Sequence, residues 1–167
     1  MKTNSTSQYL MRTALPADEA LIQTARSLFM EYAKSLNFSL CFQDFDEEVA
    51  HLPGDYAPPN GRLILVYDGP VALGCIALRK IEDGICEMKR LYLKPEARGK
   101  GLGRKLAADL IAEAVRIGYT KMRLDTVPSM TEAISLYRSL GFRDVRQYTK
   151  NPIEGALFME LELAKSA

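Results

Sequence analysis

The sequence predicts an α/β chain: an α+β mixed sheet, central and mostly antiparallel, with helices on both faces. Three observations carry that expectation. Extended apolar segments at 62–68, 71–81 and 87–93 follow one another through the short turns Asp68-Gly69 and Asp83-Gly84, a hairpin signature continued by a third strand. A helical period then runs through Leu102, Leu106, Leu110, Ala114 and Ile117, and Gly118 stops it. After it come a parallel-type strand, a second helix and a final pair of strands.

Taken in order, Tyr9 to Thr13 reads as a first strand. Pro16-Ala17-Asp18-Glu19 opens a helix whose stripe of Ile22, Ala25, Phe29, Tyr32, Ala33 and Leu36 runs to Asn37. A short helix is expected from Asp44 to His51, and Tyr56–Gly61 is a loop by composition. The strand at Glu87–Leu93 ends by Lys94, because Pro95 cannot continue a ladder. Met122–Val127 is the next strand, and Ser129-x-x-Glu132 matches a capping box that starts the next helix. Arg143–Lys150 and Ala156–Leu163 make the last strand pair.

With 167 residues, the chain suits a single domain spanning 1–167 and can bury a proper core. Its 22 Lys and Arg against 21 Asp and Glu leave almost no net charge, which argues against a general nucleic-acid or membrane-surface binder. No apolar run reaches membrane-spanning length, and MKTNSTSQYL lacks the apolar core of a secretory signal. Cys41, Cys75 and Cys86 are odd in number and far apart, so neither disulfides nor a metal site is expected, and a cytoplasmic setting is the default.

The chemistry centres on Arg98-Gly99-Lys100-Gly101-Leu102-Gly103-Arg104. A glycine loop opening a helix leaves several backbone N–H groups unpaired at the positive end of the helix dipole. Phosphate oxygens fit there, Arg98, Lys100, Arg104 and Lys105 add charge, and the glycines admit close approach. The guest is an anion, best a diphosphate. Neither GxxxxGK[ST] nor GxGxxG is satisfied, since Arg104 or Leu106 stands where those patterns need glycine.

What stands instead is Arg98-x-x-Gly101-x-Gly103 between a strand and a helix, followed by Ala133-x-x-Leu136-Tyr137-x-x-x-Gly141-Phe142. Together these resemble the two coenzyme-facing segments of the GCN5-related N-acetyltransferase (GNAT) superfamily, along nearly the whole chain. The resemblance implies acetyl-CoA as cosubstrate, no metal, and acetyl transfer to a primary amine by direct attack in a ternary complex. It assigns residues 98–104 to the pyrophosphate and the backbone of Leu91, Tyr92 and Leu93 to the pantetheine arm. One departure stands out: Met130 occupies a position where the family often has a coenzyme-contacting asparagine.

Less than about 0.1 % of an alkyl amine is neutral at pH 7, so a general base helps the attack. Glu87 is the first candidate, because it precedes Arg98 by eleven residues, the spacing of the glutamate base in histone-acetylating members. Asp125 on the next strand, or water alone, is the alternative. Tyr137 aligns with the family's general acid, although it also falls on its helix's apolar stripe. Cys86 reads as a structural thiol rather than a nucleophile.

The acceptor stays open, with a small molecule favoured over a protein. Asp44, Asp46, Glu47, Glu48 and Asp55 form a stretch without Lys or Arg, either a solvated face or a rim attractive to a cationic amine. His51, the only histidine, has a surface or capping role, and Tyr148–Asn151 line the acceptor side by analogy. A different reading keeps the fold without catalysis, as an acyl-CoA-binding sensor or regulatory module. The oligomeric state is not legible, a homodimer being common in that superfamily.

Overall fold

The computed structural model describes residues 9–164. Seven strands, β1 (Tyr9–Thr13), β2 (Arg62–Asp68), β3 (Val71–Glu82), β4 (Ile85–Leu93), β5 (Lys121–Thr126), β6 (Arg143–Asp144) and β7 (Leu157–Glu162), form one sheet among the described residues. Their order is β1-β2-β3-β4-β5-β7-β6. The helices are α1 (Glu19–Ser35), α2 (Phe45–Ala50), α3 (Leu102–Ile117) and α4 (Thr131–Ser139). All neighbouring strands run antiparallel except β4 and β5, which α3 joins as a crossover.

Period-two alternation sorts the side chains onto two cores. Leu63, Leu65, Cys75 and Ala77 pack with Ala25, Leu28 and Phe29 of α1, while Ile64, Val66, Ile76 and Leu78 pack with Leu106 and Leu110 of α3. Both faces are therefore covered, which explains why β2 and β3 read as nearly continuous apolar runs. Leu106 is wholly buried, and its truncation to Ala would cost about 2–5 kcal/mol through lost burial and the cavity left behind.

The functional feature of the sheet is a fork. β4 and β5 pair only at Ile85↔Lys121, Cys86↔Met122 and Glu87↔Arg123. Beyond those positions β4 stays on β3, and β5 stays on β7 as far as Thr126. A bulge contributes to the parting: Arg90 and Leu91 together stand opposite Ile76, with Arg90 at φ 60. An extra residue of this kind bends its strand and increases the local twist.

Three expectations change in detail. The first helix begins at Glu19 rather than Pro16, because Asp18 Oδ2 accepts from the Leu15 N–H at 3.0 Å and closes a turn there first. The Ser129 capping box does not form. Instead the Met130 N–H bonds the Val127 carbonyl at 3.0 Å, and α4 starts at Thr131 without a side-chain cap. The long strand expected over 143–150 shortens to Arg143–Asp144, with one more backbone bond from Val145 to Phe158. After it the chain leaves the sheet, and the Tyr148 ring packs edge-on against Phe158, under the Arg123 guanidinium.

Candidate active site

Once β4 loses β5 as a partner, one edge of its backbone past Glu87 faces open space. A cleft of about 670 Å³ lies along β4 between α1 and α4, lined by Tyr32, Leu91, Leu93, Arg98, Gly103 and Leu136 among others. Deeper in, a cavity of about 50 Å³ is walled by Gln43, Lys89, Arg90, Asp125, Tyr137 and Asn151. The two spaces share Tyr32, Leu91 and Met130, so they adjoin.

The cleft's mouth is the glycine loop. A single 3-10 turn at Pro95–Ala97 ends β4, and the Arg98 Nε–H donates to the Leu93 carbonyl at 3.1 Å, which folds the loop back over the strand. Gly99 and Gly101 both sit at φ 78, a region that β-carbons disfavour. The first helical bond of α3 runs from the Lys105 N–H to the Gly101 carbonyl, so the N–H groups of Leu102, Gly103 and Arg104 precede the intrahelical ladder. A Cβ on Gly103 would lie 3.7 Å from both Leu93 and Leu136, partly filling the cleft floor.

These features fit a coenzyme A thioester: a donor-rich helix start for the diphosphate, and an unpaired strand edge for the amide-bearing arm. Of the residues expected to serve it, Leu91, Tyr92, Leu93, Arg98 and Gly103 come together in the cleft. Gly99 and Lys100 lie exposed in the loop, Leu102 is buried in the core, and Arg104 reaches Ser139 Oγ at 2.5 Å. For Gly99 and Leu102 the backbone is the usable part. The Tyr92 ring is buried and its hydroxyl donates to Glu31 at 3.3 Å, which again leaves its backbone for a ligand. Met130 lines both spaces.

Glu87 and Tyr137 are not placed alike. The Tyr137 ring, buried edge-on against Phe142, reaches the deeper cavity, and burial raises its hydroxyl above the ordinary phenol range. Glu87 is buried but is not part of that lining. Its Oε1 takes the Arg79 Nε–H at 2.8 Å, with Lys89 Nζ at 3.8 Å, and its Oε2 takes the Tyr148 hydroxyl at 2.5 Å. Arg79 is its direct cross-strand partner, so hairpin register makes the pair.

Asp125 does face the cavity. Burial raises its pKa, partly offset by Lys89 and by the Asn151 amide, which donates to Oδ2 at 3.0 Å. Gln43 also donates to Oδ2, at 3.4 Å, while its own Oε1 accepts from Lys89 Nζ at 3.1 Å and Arg90 Nη1 at 2.8 Å. Lys89 is depressed to about 8, first by burial and then by the Arg90 charge beside it. Gln43 is the residue that sequence reasoning missed: a lone glutamine in the 3-10 turn Cys41–Gln43 carries no pattern.

Part of the acidic stretch is engaged. Glu48 forms a two-pronged pair with Arg90, at 2.8 and 3.1 Å, and Glu47 stands 3.4 Å from the exposed His51. The Cys86 thiol is wholly buried and pushed up to about 12 by that burial, so it is no nucleophile near neutral pH. Among the described residues no helix is long and apolar enough to cross a membrane.

Comparison with known proteins agrees with this geometry. The sequence model of the Acetyltransferase (GNAT) family matches residues 22–142. An uncharacterised N-acetyltransferase of Schizosaccharomyces pombe is 38% identical over 90% of this chain and 92% of its own. Among solved structures, a GNAT-family acetyltransferase of Staphylococcus aureus superposes with TM-score 0.77 at 15% identity, covering 94% of this chain and all of its own. A phosphinothricin acetyltransferase of Sinorhizobium meliloti, solved with acetyl-coenzyme A, superposes with TM-score 0.67 at 19% identity over 93% of this chain and 88% of its own. With a forked sheet, a glycine loop at the helix start, and a family match across most of its length, this chain belongs to the GNAT acetyltransferases and is an N-acetyltransferase.

Proposed function

We propose that the enzyme transfers the acetyl group of acetyl-coenzyme A to a small primary amine within one ternary complex, with Asp125 as general base and Tyr137 as general acid. One observation carries the reading: Asp125 and Tyr137 line the same cavity, and that cavity adjoins the coenzyme cleft. Bound acetyl-coenzyme A supplies an activated acyl group, whose C–S bond breaks as the N–C bond forms.

Asp125 holds the entering amine and accepts its proton, a task suited to a carboxylate whose pKa burial has raised. Tyr137 donates its hydroxyl proton towards the departing sulfur; the raised phenol stays protonated until then. The Arg90–Leu91 bulge offers backbone N–H groups outside the regular β3 ladder, available to an oxygen gaining charge. Glu87 takes a positioning part, holding Tyr148 and Lys89 at the side of the site. Thiol release measured across an amine panel tests the reading: turnover that depends on Asp125 and Tyr137 supports it, and turnover indifferent to both removes it.

A further inference from the structure

Lys89 is only 8% exposed, yet its ammonium is short of partners. It has three N–H donors, and among the described residues the one side-chain acceptor at hydrogen-bond distance is Gln43 Oε1 at 3.1 Å. Glu87 Oε1 lies farther off, at 3.8 Å, and already serves Arg79 at 2.8 Å. Arg90, next along the strand, is satisfied by Glu48 and Gln43. Asp125 lines the same cavity, and its two hydrogen bonds from described residues both fall on Oδ2, leaving Oδ1 for something else.

Gln43 fixes the polarity of the cavity. Its oxygen faces two cations and its amide nitrogen faces Asp125, so a flipped amide would set N–H groups against Lys89 and Arg90. The space is thus lined by a buried cation with donors to spare and by a carboxylate with one oxygen that no described residue engages. We infer that the acceptor is an amine bearing its own carboxylate, of the amino-acid class, with its carboxylate received by Lys89 and its nitrogen by Asp125. This inference rests on the transfer reaction proposed above.

The electrostatics point the same way. Lys89 is depressed to about 8 because burial and Arg90 outweigh Glu87 and Asp125, and an arriving carboxylate would relieve that deficit. An amine without a carboxylate leaves donors of the buried ammonium unmatched, the situation that gives polar sites their largest discrimination. The acidic stretch does not reverse the argument, since none of its carboxylates lines the cavity and Glu48 is bound to Arg90.

The test is thiol release from acetyl-coenzyme A with the proteinogenic amino acids and β-alanine, each against its carboxamide. Ethylamine, the decarboxylation product of both alanine and β-alanine, and spermidine complete the panel. The best acid should exceed its carboxamide in kcat/KM by about 100-fold or more. Lys89→Met should collapse that ratio, mainly through a raised KM for the acid, and Lys89→Arg should restore much of it. Carboxamides, ethylamine or spermidine turned over as well as the acids would overturn this inference while leaving the transfer reaction intact. No turnover with any amine, together with no calorimetric binding of the acids to the complex with coenzyme A, would overturn both.

Discussion

The Tyr148 hydroxyl donates to Glu87 Oε2 at 2.5 Å, at the position where β4 and β5 make their last pair. Together with Arg79 on Oε1, it leaves Glu87 with both oxygens engaged and no lone claim on a substrate proton. Glu87→Gln should therefore weaken the fold, by about 3 kcal/mol, since it strips the counter-charge from Arg79 and Lys89 in a buried setting. Urea unfolding with an unchanged slope would measure that loss. The variant should also keep the wild-type shape of the rate–pH curve, which removal of a catalytic base would not.

Tyr137→Phe should reduce kcat by about 100-fold, the usual worth of one positioned acid. Coenzyme affinity should be nearly unchanged, because the ring keeps its edge-on contact with Phe142 and its place in the core. Calorimetric titration with coenzyme A beside steady-state thiol release separates the two effects. A loss of affinity equal to the loss of rate would mark Tyr137 as packing only.

Gly101→Asp should weaken acetyl-coenzyme A binding at least about tenfold, or 1.4 kcal/mol. Gly101 is the N-cap of α3, at φ 78 with open space where a Cβ would go. Aspartate is a good N-cap and one of the side chains that tolerate this backbone region, so the helix should survive. What changes is the sign of charge where a diphosphate is to sit. Circular dichroism unchanged beside weakened binding is the expected pair of results.

Alkylation with iodoacetamide should label Cys41 alone in the folded protein and all three cysteines in denaturant. Cys41 is exposed, whereas Cys75 and Cys86 are wholly buried, and desolvation raises both of their thiols. Mass spectrometry reads the count directly. Labelling of native Cys86 would reopen a route through an acyl-cysteine.

The consecutive antiparallel strands β2 to β4 and the glycine loop opening α3 were legible because they rest on local chemistry. Turn dipeptides, apolar runs along β2 to β4, and glycines between Arg98 and Arg104 each act over a few residues. The candidate site was legible only in part. Glu87 stood at an instructive spacing from Arg98, but its pairing with Arg79 follows from hairpin register and its bond to Tyr148 from a loop that leaves the sheet early. Gln43 joins Lys89, Arg90 and Asp125 from 46, 47 and 82 residues away, a convergence that no local pattern encodes. The Ser129-x-x-Glu132 motif misled because the turn from Val127 to Met130 sets the helix start.

The most direct measurement of the account is the pH dependence of kcat for the wild type and Asp125→Asn, by thiol release at saturating acetyl-coenzyme A. A carboxylate raised by burial loses its proton-accepting form as pH falls through that raised value, so wild-type kcat should decline on the acid side. Asp125→Asn should abolish that limb and lower the plateau by about 10²–10⁴-fold. An Asp125→Asn enzyme that retained both the limb and the rate, while Glu87→Gln lost them, would contradict the account and return the base to Glu87.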